Sequence, residues 1–166
     1  MRKYVDFDDV ILYTSGILFD NYHKDCDKVG IVLDKVKYIR KFDWEWLLSV
    51  SPVINDSLDI IRDMNDIDIL TKVNSVDNEG VAKIRYLRSK GIRADVILVP
   101  FDLKKTDVVD ARGNILIDDT VHNLDDWYDV GGMPIYFNKD NLDIDSWGKK
   151  NTRYVKTRSL DILRRY

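Results

Sequence analysis

Along this 166-residue chain, short apolar runs alternate with segments whose apolar residues recur at helical spacing. The first run, Lys3-Tyr4-Val5-Asp6-Phe7, reads as a strand that turns at Asp8-Asp9 and resumes over Val10-Ile11-Leu12. Four more runs share its length and β-prone character: Ile67-Asp68-Ile69-Leu70-Thr71, Ala94-Asp95-Val96-Ile97-Leu98-Val99, Asn114-Ile115-Leu116-Ile117 and Met133-Pro134-Ile135-Tyr136-Phe137. Between them, Val81, Ile84, Tyr86 and Leu87 mark a helix over 77–89 that stops at Lys90-Gly91, where glycine accepts the left-handed conformation. Shorter helical patterns cover 104–111 and the surroundings of Leu124 and Trp127. The tail carries a strand-like Tyr154-Val155 and then an amphipathic turn or two with Leu160, Ile162 and Leu163. Strands that alternate with helices through short connections predict an α/β fold, a mostly parallel five-stranded sheet flanked by helices on both faces. There is no internal repeat, low-complexity stretch or linker.

Residues 13–50 interrupt the alternation. Asp20, His23, Lys24, Asp25, Asp27 and Lys28 scatter charge through a weak pattern, and Val29-Gly30-Ile31-Val32-Leu33 and Val36-Lys37-Tyr38-Ile39 read as short strands. From Phe42 the pattern turns helical through Trp44, Trp46, Leu47 and Leu48; Ser51-Pro52 then opens a further helix with Val53, Ile54, Leu58, Ile61 and Met64, proline suiting its first turn. The expected organisation is one domain over 1–166, with a core of about 1–12 and 51–166 and a small insertion of about 13–50 lying over one end of the sheet.

Two of the apolar runs close in acids: Asp6, Asp8 and Asp9 after the first, Asp118 and Asp119 after the fourth. Acids crowded at the end of a buried strand lose hydration and repel one another, which costs several kcal/mol or shifts their pKa values unless something compensates. A divalent cation with oxygen ligands is the usual compensation, and phosphate chemistry the usual reason to hold one. Ligands of open parallel sheets bind beyond the carboxyl ends of the strands, so Asp6, Asp8, Thr71, the loop 100–105 and Asp118-Asp119 are expected to converge on one crevice.

Composition narrows the partners. The chain is 45% hydrophobic and 33% charged, with 26 basic against 29 acidic residues and a net charge of −3, which gives no global attraction to nucleic acid or anionic membranes. The lone Cys26 excludes an internal disulfide and reads as inert packing. No apolar run approaches the roughly 20 residues that span a bilayer, and Met1-Arg2-Lys3 leads straight into a strand rather than a signal peptide. A cytoplasmic protein is the default expectation, and the pattern leaves an oligomer open.

Asp6-Phe7-Asp8-Asp9-Val10 resembles the aspartate-nucleophile signature D-x-D-x-[TV] of the haloacid dehalogenase (HAD) superfamily. Ile69-Leu70-Thr71 is similar to its second motif, Lys104 or Lys105 to its third, and Ile115-Leu116-Ile117-Asp118-Asp119 to its fourth, all in the family's order. The resemblance implies a Rossmann-like core with a small cap, and a Mg²⁺-dependent phosphatase that works through an aspartyl-phosphate. Asp6 would be the nucleophile and Asp8 the general acid and then base. Asp6, the Asp8 carbonyl and Asp119 would hold Mg²⁺, with Asp118 a second acidic ligand or the orienter of a water on the metal. Thr71 and Lys105 would bind phosphate, Lys105 preferred over Lys104 because it directly precedes the helical start Thr106-Asp107-Val108-Val109. Asp9 reads as structural.

Asn123-Leu124-Asp125-Asp126-Trp127, Pro134-Ile135-Tyr136-Phe137 and Asn141 look like the 5′(3′)-deoxyribonucleotidase branch, which implies a nucleoside monophosphate as the small phosphorylated substrate. Two departures accompany this: Asp9 stands where that branch often has a small residue or Glu, and its base-recognition residues find no match in 13–50. The alternatives are a phosphatase for another small phosphorylated metabolite and a non-catalytic HAD-like binding domain. His122 and Asn123 read as helix-start polar residues, Trp46 as core, and Trp44 as either core or part of a base-stacking pocket.

Overall fold

Period-two alternation along the strands sets the architecture, and the computed structural model describes it for residues 1–166. Lys3–Val5 (β1), Ile67–Val73 (β2), Val96–Pro100 (β3), Ile115–Asp118 (β4), Met133–Phe137 (β5) and Val155–Thr157 (β6) form one all-parallel sheet in the order β3-β2-β1-β4-β5-β6. Val5, Ile67, Ile69, Ile115, Ile117, Ile135 and Phe137 point to one core, while Tyr4, Leu70, Val99, Leu116 and Tyr136 point to the other. Over the first face lie α1 (Ser15–Val29), α3 (Trp44–Val50), α4 (Ser57–Asp63) and α5 (Val81–Ser89), which contribute Leu18, Leu47, Ile61 and Leu87, and the closing 3-10 turn Leu160–Arg165. The second face is covered by α7 (Val121–Asp129) through Leu124 and Trp127, with the short α6 (Lys105–Val108) beside it. The Trp127 ring meets Tyr4 edge-on at 5.5 Å, and its Nε1 donates to the Asn114 carbonyl at 2.9 Å.

The sheet has six strands rather than five. β6 extends it by three residues, Ile135 pairing with Val155 and Phe137 with Thr157, so that the strand-like stretch at Tyr154-Val155 joins the sheet as its sixth strand. The first strand stops at Val5; residues 10–12 form a turn tied back to the Phe7 carbonyl, with isolated bridges of Asp8 to Leu12 and Leu12 to Val53 in place of a strand.

The segment 13–50 consists of helices joined by short loops and holds no strand, contrary to the two strands expected in it. Its charges line the exposed side of α1, whose buried positions are only Leu18 and Tyr22, so the helical spacing is carried by two residues. Gly30 ends α1 at φ 72°, its N–H donating to the Cys26 carbonyl. Ile31 and Val32 are then exposed, because β-prone residues without a neighbouring strand have no sheet to join. Asp34 opens α2 (Lys35–Lys41) by accepting from the Lys37 N–H at 3.0 Å.

Pro52 does not start a helix. Its carbonyl accepts from the Tyr13 N–H, and the Ile54 N–H donates to the Ile11 carbonyl, so the chain entering and leaving the segment is paired before α4 begins at Ser57. Asn55 and Asp56, both at positive φ, make the turn between. No helix is long and apolar enough to cross a membrane.

The approach of β5 to α7 leaves no room for a side chain at Gly132. A Cβ there would lie 2.3 Å from the Trp127 ring and 2.9 Å from the Ala111 carbonyl oxygen. Gly132→Ala should therefore destabilise the fold by about 1–3 kcal/mol through overpacking, read as a lower urea midpoint at unchanged m value.

Candidate active site

β1 and β4 lie side by side where the chain reverses its direction of travel across the sheet, the position at which open parallel sheets form a crevice. Their register pairs Val5 with Ile117, and the Asp6 N–H continues the ladder to the Ile117 carbonyl at 3.0 Å. Asp6 and Asp118 thus leave neighbouring strand ends at one level, on the face covered by α6 and α7. Lys105, first residue of α6, rises from that face and is buried; its Nζ donates to Asp6 Oδ1 and Asp118 Oδ2, each at 2.6 Å. Carboxylate oxygens of Asp6, Asp118 and Asp119 all lie within 4.8 Å of one another. Lys104 is exposed instead and pairs with Asp126, so of the two candidate lysines only Lys105 reaches the acids.

Thr71 lies one residue past the level of Asp6 on β2 and faces the other side of the sheet. There it meets Lys83, a residue the sequence reading passed over. The Lys83 ammonium is wholly buried and donates to Asp8 Oδ2 at 2.5 Å, Glu79 Oε1 at 2.8 Å, and Thr71 Oγ1 and the Lys72 carbonyl at 3.2 Å each. The other Asp8 oxygen accepts from the Thr14 hydroxyl at 2.7 Å. Asp9, at φ 57°, turns its carboxylate to the Ser15 N–H at the start of α1, in keeping with a structural part. Asp6, Lys105, Asp118 and Asp119 are thus grouped on one side of the sheet at its carboxyl edge, and Asp8 and Thr71, joined through Lys83, on the other.

Other neighbours were not anticipated. Asn123 donates to Asp118 Oδ2 at 3.0 Å, and the Thr120 N–H to Asp118 Oδ1 at 2.8 Å, so Asp118 is held by three donors. Asp145, buried in the loop after β5, caps α7 from 24 residues away through the Val121 N–H. Lys72 lies half-buried with a hydrogen bond only to the Phe101 carbonyl and no carboxylate partner. His122 stays at the surface near Asp126. Trp44 is buried, its Nε1 donating to the Ile39 carbonyl, whereas Trp46 is 42% exposed, reversing its expected placement in the core. An open depression of about 530 Å³, lined by Asp25, Tyr38 and Phe42 among others, lies within 13–50 and includes none of these acids.

No family model matches the chain, and no curated protein matches it in sequence. Solved structures do. YfnB of Bacillus subtilis, assigned as a HAD hydrolase and bound to magnesium, superposes with a TM-score of 0.60 at 14% identity, over 99% of this chain and 97% of its own. A hydrolase from Pseudomonas syringae gives 0.63 at 12%, over 99% and 96%, and a haloacid dehalogenase-like hydrolase from Burkholderia xenovorans 0.61 at 12%, over 97% and 95%. The chain shares the fold of these HAD-like hydrolases.

The electrostatics of the acid cluster follow from its burial. Burial pushes Asp6 up to about 7, against the pull of Lys105 and with the help of Asp118 and Asp8. Asp119 is raised well above the carboxylate range by burial and by Asp118, its only hydrogen-bond contact a distant Thr120 hydroxyl. Lys105 is held above its ordinary value, the two aspartates outweighing its own desolvation. Lys72 is lowered by burial and by the neighbouring Lys105 ammonium. Three clustered carboxylates with one ammonium leave uncompensated negative charge, and hard oxygen donors at this spacing suit Mg²⁺.

An acid whose folded pKa exceeds its unfolded value binds more protons when native, so stability falls as pH rises between the two values. The metal-free protein should thus lose stability between about pH 4 and pH 7 through Asp6. Melting temperature followed in EDTA across that window should decline, and the decline should be shallower in Asp6→Asn.

Proposed function

We propose that this chain is a Mg²⁺-dependent phosphomonoester hydrolase that works through an aspartyl-phosphate on Asp6. The observation that carries the reading is the grouping of Asp6, Asp118 and Asp119 carboxylates within 4.8 Å, bridged by buried Lys105, with Asp8 two residues beyond Asp6. One Asp6 oxygen is taken by Lys105; the other has no hydrogen-bond partner and the side chain keeps 10% exposure, leaving a lone pair for attack on phosphorus. Asp8 is the general acid that protonates the leaving oxygen and then the base that takes a proton from water. Thr71 and Lys105 bind phosphate oxygens. Asp6, the Asp8 carbonyl, Asp119 and Asp118 would hold Mg²⁺, which supplies the positive charge that lets a phosphate dianion approach these acids. A dehalogenase would have less use for this set, because a halide leaves without a proton and the acid role of Asp8 would be idle.

Residues 13–50 act in this reading as a cap over the crevice. Within the finer choice of substrate, a nucleoside monophosphate needs a stacking face for its base, and two aromatic rings come together at Lys35. Phe19 stands one turn into α1 from Ser15, and Trp147 follows Asp145, the cap of α7; the Lys35 ammonium lies 4.1 Å from the first ring and 5.9 Å from the second. Rings so placed offer stacking faces for a base.

A panel of 5′- and 3′-(deoxy)nucleoside monophosphates, sugar phosphates and 4-nitrophenyl phosphate, with and without Mg²⁺, tests the reading. Hydrolysis should require Mg²⁺ and fall to background in Asp6→Asn, while Lys105→Met should cost about 10²–10³-fold and Lys104→Ala little. Turnover of nothing on the panel would sink the phosphatase, and turnover of sugar phosphates alone would remove the nucleotide. Separately, millimolar Mg²⁺ should raise the melting temperature at pH 7 by ligand linkage, an effect that Asp119→Asn should diminish.

A further inference from the structure

Lys83 has no part in the phosphatase chemistry above, yet it is tied to two of its residues. Its ammonium has three protons and four oxygen neighbours, so its donor capacity is filled without a substrate. The Phe7 and Trp44 rings stand 5.3 Å and 5.1 Å from it and complete a closed shell. The Glu79–Lys83 pair is complete within one helical turn and needs nothing more to be stable. Instead the ammonium reaches Asp8, 75 residues away in sequence, at the shortest distance of the set, and the Thr71 hydroxyl as well. With Thr14 on its other oxygen, the Asp8 carboxylate is fixed at both ends, to α5 on one side and the entrance of α1 on the other.

We propose that Lys83 is a positioning residue for proton transfer, holding the Asp8 carboxylate and the Thr71 hydroxyl in one fixed relation at the crevice. The inference rests on the phosphatase reading. In the first step the Asp6 oxygen forms a bond to phosphorus as the bond to the leaving oxygen breaks; the leaving oxygen keeps the electron pair and takes the proton of Asp8. In the second, water adds to phosphorus as the Asp6–phosphorus bond breaks, and its proton goes to Asp8. Both transfers need the carboxyl group in line with a small moving target, and misplacement by about 1 Å can cost 10²-fold.

The readout is dependence on the leaving group. Phenoxide needs its proton, since phenols have a pKa near 10, whereas 4-nitrophenoxide leaves well without one. kcat/KM, which reports transfer to Asp6, is measured with phenyl phosphate and 4-nitrophenyl phosphate for Lys83→Met. It is also measured for Glu79→Gln/Lys83→Met, which removes both charges of the buried pair and so spares the fold an orphaned carboxylate. The expected loss on phenyl phosphate exceeds that on 4-nitrophenyl phosphate by tenfold or more in both variants. Equal losses on the two esters, or no loss, would overturn the positioning role while leaving the phosphatase intact. A wild-type protein that hydrolyses neither ester nor anything on the panel above would remove the phosphatase reading and this inference with it.

Discussion

Carboxylates cannot be gathered at the end of a buried strand without cations to meet them, and two buried lysines meet that demand here. Lys105 answers Asp6 and Asp118 on one face of the sheet; Lys83 answers Asp8 and Glu79 on the other. Each ammonium has surrendered its hydration, and burial alone would lower its pKa, yet the paired acids hold both above the ordinary lysine value. Neither pair is expendable by halves, because removing one partner strands the other charge in a low-dielectric interior. The rest of the site is arranged around these two points.

Their separation follows from the pleat. Asp6 and Asp118 share the side of the sheet occupied by Tyr4 and Leu116, while Thr71 shares the side of Ile69. A crevice at strand ends is open to both sides, so groups from the two layers can meet over the sheet edge without either layer being distorted. The acid loop after β1 makes that crossing. Within two residues the chain passes from Asp6, bound to Lys105, to Asp8, bound to Lys83, and the left-handed Asp9 then turns it toward α1. In the proposed reaction the attacking group and the proton-transfer group would thereby be held by different supports, and a change in one support need not move the other.

The strand-end acids were legible in the sequence because each closes an apolar run, and the parallel layout followed from the alternation of runs with helices. Lys105 was legible from its place at a helix start. Lys83 was not: a lysine between Ala82 and Ile84, four residues after Glu79, has the spacing of an exposed i,i+4 pair, and only the arrival of Asp8 makes it interior. Asp145 was equally hidden, since its target at Val121 becomes a neighbour only once the loop after β5 folds back. The helices of 13–50 were missed because charge dominates their faces and only a few residues touch the core, so that Ile31 and Val32 spoke louder than Leu18 and Tyr22. Pro52 misled because proline suits a helix start and an unpaired strand edge equally well.

The same insertion is joined to the acid loop rather than merely placed above it. Its two ends are paired through Tyr13 with Pro52 and Ile11 with Ile54, and its first residues, Thr14 and Ser15, bind Asp8 and Asp9 directly. Trp44 of α3 stands against the Lys83 ammonium, and Arg40 of α2 reaches the Asn74 carbonyl beyond the end of β2. A shift of these helices therefore pulls on Asp8 through Thr14 and alters the wall around Lys83, whereas Asp6 is fixed by the sheet ladder and by α6. The acid run at Asp6-Phe7-Asp8-Asp9 is thus divided between two supports: its first acid belongs to the sheet and α6, and its last two are tied to the insertion and α5.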